Sequence, residues 1–281
     1  MTLLKKFVHL PVLLTILLVF VFLFAMPILN LELVAVYTMS TFPVFLFGLF
    51  AAFILNDRHQ RLLQLKKLSA YENSQWRNLI FLSKNLPKAN QIYEKLDEYF
   101  CSLYDYYLED YYLTESSFEK AREFLKKAAT PNSENQKMLS VLDGLNTIRQ
   151  EFAVAVRDKL SKDQWMILSL LTVSIIIVLF LTKSDFFLLN LLSSLFIVST
   201  LTIIYVIRQY DLLRNQAEFW NWELFQKLFD LIGKPRYYPK ELIDSGEITP
   251  PKGIPFRVVT YKGKYPHNTK SVEMLKNAKT F

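Results

Sequence analysis

The sequence is poor in the residues from which most catalytic and metal sites are built. It has a single cysteine, Cys101, in 281 residues. A lone thiol supports neither a disulfide framework nor a zinc site, and its simplest use is as a small buried apolar side chain. The three histidines, His9, His59 and His267, lie far apart, and none has a cysteine or carboxylate at metal-ligand spacing. The six glycines are scattered singly, so no glycine-rich loop cradles a phosphate. No run of alternating carboxylates suits Ca²⁺. Acidic pairs such as Asp97-Glu98 and Glu109-Asp110 fall on helical patterns, where a solvated face is their simpler role. These absences make an enzyme the weakest class of function, and they imply no cofactor.

The most informative absence is charge within long apolar runs. Apolar residues make up 52% of the chain and charged residues 21%, and the apolar excess gathers in four blocks. These are 10–29, 33–55, 165–181 and 186–207, and none contains Asp, Glu, Lys, Arg or His. Each has about the 20 residues that a helix rising 1.5 Å per residue needs to cross a hydrocarbon layer of about 30 Å. The pattern predicts an all-α membrane protein with four transmembrane helices in two hairpins, a cytoplasmic helical bundle, and a short C-terminal tail containing a possible strand.

The first block follows Lys5 and Lys6 as a signal peptide would. It is long for such a segment, lacks a small-x-small cleavage site, and leads through Asn30-Leu31-Glu32 straight into another span, so it reads as a membrane helix. Thr182-Lys183-Ser184-Asp185 is short enough only for the turn of the second hairpin, with Ser184 or Asp185 able to cap the fourth helix. Lysines and arginines flank the other span ends: Lys5 and Lys6, Arg58 to Lys67, Arg157 to Lys162, Arg208 and Arg214. The positive-inside rule then places both termini and segment 57–164 in the cytoplasm. Lysine-rich flanks without an obvious transit peptide point to a bacterial inner (plasma) membrane. The basic region after the fourth span suits anionic lipid or an acidic partner, and also follows from the ordinary cytoplasmic bias.

The expected organisation is a membrane hairpin (1–56), a cytoplasmic helical domain (57–164), a second hairpin (165–207), a cytoplasmic helix (208–233) and a Pro/Gly-containing tail (234–281). Within 57–164, apolar positions at helical spacing predict a helix up to Pro87 and a second from about Pro87 to Leu113. Thr114 would be the N-cap of a third helix running through Ala129. A fourth, from Ser133, would carry Met138, Leu142, Leu145, Phe152 and Leu160 towards the third span, interrupted only at Ser161 to Gln164. After Arg208 the helical pattern continues to Gly233-Lys234-Pro235, a C-terminal glycine followed by proline. Phe256 to Tyr261 reads as a strand turning at Lys262-Gly263-Lys264.

Spans without ionisable groups argue against a proton-coupled transporter. Passive conduction or no transport remains. In the second span, Pro43 frees a backbone carbonyl and kinks the helix, Gly48 permits close helix approach, and Phe45, Leu49 and Phe53 form one stripe at i, i+4, i+8. Such a stripe either lines a pore that gates by dewetting or faces lipid and neighbouring helices.

The run from Pro43 to Phe50, followed by Arg58, resembles the second membrane helix of bestrophins, which lines the apolar neck of a pentameric anion channel. Glu72 to Pro87, with Trp76, Leu79 and Leu82, and then Arg149 through Arg157, Leu160 and Trp165, resemble the bestrophin-like membrane proteins of bacteria and plants. The resemblance covers residues 34–210. It implies a homo-oligomer, most simply a pentamer, passing small anions such as chloride between membrane lipids. In that arrangement Phe45, Leu49 and Phe53 form the constriction, Pro43 stands at its outer end and Gly48 lies at a packing contact. The chain departs from the pattern in the shorter Pro43–Gly48 spacing, in Leu49, and in Ser161-Lys162 where relatives carry proline; it also lacks an acidic calcium clasp. The alternative is a non-conducting scaffold that binds another complex through its cytoplasmic parts, with Arg236, Tyr237, Tyr238 and the tyrosine-rich stretch 104–112 as contacts. Those side chains could equally pack inside the chain, and nothing suggests a nucleic-acid partner.

Overall fold

No glycine or proline interrupts residues 49–83, and the second apolar block and the charged segment after it form one helix, α1 (Leu33–Ser83), of 51 residues with Pro43 inside it. The structure, a computed structural model, describes residues 33–84, 86, 88–106, 108–128, 133–181, 186–213, 222–246, 248–251, 253–262 and 269–275. Further along the chain lie α2 (Ala89–Asp105), a 3₁₀ segment (Leu108–Thr114), α3 (Glu115–Ala128), α4 (Ser133–Arg157), α5 (Lys162–Leu181), α6 (Phe187–Asp211) and α7 (Trp222–Leu231). The tail adds β1 (Arg236–Pro239), α8 (Lys240–Asp244), β2 (Phe256–Lys262) and β3 (Thr269–Leu275). The chain divides into two compact units, Met1–Gln60 with Lys159–Leu212, and Arg61–Asp158 with Leu213–Phe281.

Most of the described residues of the first unit form helices. Among the described residues three helices are long and apolar enough to cross a membrane, and they carry most of the second, third and fourth apolar blocks. The first block and the turn 182–185 lie outside the described residues. Phe47, Ala51 and Ile54 of α1 are buried with Leu168 and Ile175 of α5, Ile207 of α6 and Leu160. Hydroxyls inside α5 and α6 turn back on their own helices: Thr172, Ser194 and Thr200 each donate to the carbonyl four residues earlier. A polar group surrounded by hydrocarbon needs such a partner.

Between α4 and α5 the helical path breaks at 158–161, a few residues earlier than the spacing predicts. Ser161 makes the break through a capping box, its hydroxyl accepting from the Gln164 N–H while the Gln164 carboxamide oxygen accepts from the Ser161 N–H. Asp211 closes this region. Its buried Oδ1 accepts from the Leu160 N–H at 2.8 Å and from Arg58 Nη1 at 3.3 Å, and Arg58 also holds Asp57 at 2.6 Å. The continuous helix expected after Arg208 is therefore corrected: α6 ends at Asp211, and Leu213 takes a positive φ of 50°.

In the second unit, the helix expected to reach Leu113 stops at Asp105. Tyr106 is extended (φ −123°, ψ 150°), and the chain re-enters as the 3₁₀ segment, kinked at Asp110. Thr114 precedes α3, but its hydroxyl donates backwards to the Tyr111 carbonyl and accepts from Arg149. The Gly233 stop is borne out. Its φ is +67°, the Lys234 N–H donates to the Phe229 carbonyl and the Gly233 N–H to that of Asp230, the bond pattern of a Schellman cap.

The tail holds three strands where the sequence predicts one. Their order is β1-β2-β3, with β1 parallel to β2 and β2 antiparallel to β3. A mixed sheet of this size needs backing. Tyr238, Phe256 and Val258 form its core with Ile243, Ile248 and Leu275. Its Arg257 grips the Asp97 carboxylate of α2 with two bonds, at 2.7 and 2.6 Å.

Replacing Asp211 by Ala strands the Leu160 N–H and removes a buried partner of Arg58. The expected loss is about 2–5 kcal/mol, read as a lower midpoint of thermal unfolding in detergent. Asp57→Ala, at a side chain 59% exposed, should cost under about 1 kcal/mol in the same assay.

Candidate functional site

The apolar stripe expected on the second span is present on α1. Phe45, Leu49 and Phe53 are 63%, 46% and 65% exposed, whereas Phe47, Ala51 and Ile54 on the other side of the same helix are buried. The helix therefore has a packed side and an open aromatic side. Pro43 is half-buried and lies within helical backbone. Gly48 is exposed, and a Cβ added there would meet nothing within 4 Å, so the close helix approach expected at Gly48 does not occur within the described chain.

The second unit is built around a different feature, which only the resemblance, through Glu72 and Arg149, brings into view. Glu72 of α1 is 0% exposed and Arg149 of α4 2%. One Glu72 oxygen accepts from the Tyr99 hydroxyl and from Trp76 Nε1 at 3.4 Å, and the other from the Tyr111 hydroxyl at 2.9 Å. Arg149 lies 3.5 Å from the first oxygen. It donates to both phenols, to Thr114 and to Glu115, and stacks over the Phe118 ring with 4.3 Å between the guanidinium carbon and the ring centroid. Trp76 closes the cluster against Tyr99 and Phe100, with ring centroids 5.0 and 5.5 Å away.

Burial pushes the phenols of Tyr99 and Tyr111 well above their ordinary value. Arg149 opposes that shift at both sites, and Glu72 adds to it. A carboxylate closed in by donors and aromatic rings has no path to a substrate. The cluster is suited to holding four elements together, not to proton transfer. Among the described residues no group of three or more His, Cys, Asp or Glu is placed to hold a metal ion.

The tail residues offered as partner contacts are taken up inside the second unit. Arg236 binds the Asp230 carboxylate, Tyr237 exchanges two hydrogen bonds with the Gln226 side chain and donates to Asp105, and Tyr238 stacks edge-on against Phe256. All three are buried, so they form no contact surface. Of the tyrosine-rich stretch, Tyr104 and Tyr111 are buried and Tyr112 is exposed. Sequence reasoning passed over Asp211, Asp105 and Gln226, because a polar residue whose partners lie far along the chain carries no local signal.

No family model, curated protein or solved structure matches the chain.

Two outcomes follow for the cluster. Glu72→Ala removes the buried carboxylate beside Arg149, leaving it only the half-exposed Glu115, and should cost about 3 kcal/mol; Glu72→Ala with Arg149→Met should recover much of that loss in chemical denaturation. The raised phenols favour protonated Tyr99 and Tyr111 in the folded state. Their contribution is complete below the ordinary tyrosine value of 10.0 and is lost as pH rises above it towards the folded values. Stability measured from pH 9 to 12 should therefore fall less steeply in Tyr99→Phe/Tyr111→Phe than in the native chain.

Proposed function

We propose that the chain is one subunit of a bestrophin-like homo-oligomer, most simply a pentamer, in which α1 helices line an anion-permeable pore across a bacterial inner membrane, with both termini cytoplasmic. The observation that carries this reading is the two-sided character of α1, packed along Phe47, Ala51 and Ile54 and open along Phe45, Leu49 and Phe53. Copies placed around an axis would turn the open side inward. A ring of phenylalanine and leucine forms a constriction that excludes water when narrow and conducts when slightly widened. No basic ring stands in the span, so selectivity for chloride-like anions rests on their weaker dehydration penalty and on backbone dipoles. The burial of Arg236, Tyr237 and Tyr238 counts against the scaffold alternative, which needs them as contacts.

The test is anion flux into liposomes containing the full chain. Phe45→Ala and Leu49→Ala should each raise flux several-fold over the native protein. Silence in all three, with the oligomer intact, would reject the pore.

A further inference from the structure

The second unit carries an open groove of about 510 Å³ between α1 and α4. Gln64, Lys67, Tyr71 and Gln75 line it from α1 and Glu151 from α4. Among the described residues none of these five side chains makes a hydrogen bond or ion pair, although they include one cation, one anion and two amides. Gly144 lines the groove beside open space, since a Cβ there would meet nothing within 4 Å. Tyr71 in its wall is 52% exposed, and Leu63 and Val154, near the lining residues in sequence on the same two helices, are 46% and 71% exposed. Large exposed apolar side chains around uncommitted polar groups are the composition of a protein interface.

We propose that this groove receives helix α3 from a second copy of the chain. From Gln64 to Gln75 the groove runs eleven residues of helix, about 16 Å. It is an open trough, which suits the ridge of a helix better than an enclosed small molecule. Helix α3 has such a ridge. Ser116, Lys120, Glu123 and Lys127 lie at i, i+4, i+7 and i+11, all exposed, and span the same eleven residues. The ridge alternates base, acid, base, and can set Glu123 against Lys67 and a lysine against Glu151. Ridges of this kind pack into the groove between two helices. The opposite face of α3 already buries Phe118, Ala121 and Leu125 in its own unit, so docking requires no unfolding. Groove and ridge are different patches of one surface, so the contact is head-to-tail, and closing it generates a ring. The inference therefore rests on the oligomeric reading above and names the cytoplasmic contact that would hold it together.

Two differently tagged full-length chains would be co-expressed, one carrying Tyr71→Cys at the centre of the groove and the other Lys120→Cys on the ridge, which leaves Glu123 in place, and treated in membranes with a short bismaleimide. Native Cys101 does not interfere, because it is buried and its thiol is pushed up to about 12. The expected result is a crosslinked species bearing both tags, reduced at least tenfold by Gly144→Trp, which fills the groove. Lys67→Glu, which reverses a charge at its wall, gives a second reading should the tryptophan impair folding. An oligomer without that crosslink, or a crosslink untouched by either substitution, would overturn the contact, as would a monomeric chain. Anion flux on the same preparation separates the two ideas: flux without the crosslink leaves the pore standing alone, and the crosslink without flux leaves the interface standing alone.

Discussion

A carboxylate removed from water costs free energy unless hydrogen bonds replace its hydration. Glu72 has no exposure, so its surroundings must supply what water would have. They do so from several directions: the indole of Trp76 one turn along α1, the phenol of Tyr99 from α2, the phenol of Tyr111 from the 3₁₀ segment and the guanidinium of Arg149 from α4. Satisfying one acid thus fixes the mutual placement of four elements. The early end of α2 follows from the same demand. An uninterrupted helix through Leu113 would carry Tyr111 away on the helix surface, whereas the extended residue at Tyr106 lets the chain turn back and present its hydroxyl to both Glu72 and Arg149.

The tail belongs to the same unit by similar means. Two aspartates of α2 act as anchor points. Asp97 takes the forked pair from Arg257, while Asp105 accepts from Tyr237, Tyr261 and Lys270. Three short strands could not stand alone in water, but with one face on an apolar core and Arg257 and Tyr261 tied to a helix they are held in register. The residues that look most like exposed recognition groups in the sequence are thereby the most deeply committed ones.

The first unit follows the opposite rule. Among its described residues the core is apolar contact, the hydroxyls of Thr172, Ser194 and Thr200 are satisfied within their own helices, and Asp211, past the last apolar run, receives both a helix-preceding N–H and Arg58. In the proposed pore, spans without ions leave shape and side-chain size as the means of controlling passage. An exposed row of Phe and Leu on one side of a packed helix is a surface made from those two means alone.

Much of this was legible from local signals. Uncharged runs of helix-spanning length announced three helices long and apolar enough to cross a membrane, the Gly233 stop announced a cap, and Phe256 to Tyr261 announced a strand, because each depends on neighbours within a few residues. The apolar period also placed Phe45, Leu49 and Phe53 on one side of α1. The sequence by itself determined helix type, the positions of three helices long and apolar enough to cross a membrane, and the absence of charge within those apolar runs. Tertiary structure alone decided that α6 ends at Asp211, that α2 yields to a 3₁₀ segment after Asp105, and that Arg236, Tyr237 and Tyr238 face inward. For Asp211, Tyr111 and Tyr237 the deciding energy is the satisfaction of buried polar groups by partners from other segments, whereas Tyr238 faces inward through apolar packing on Phe256 and Arg236 through Asp230 one helix end away; no local pattern encodes those placements.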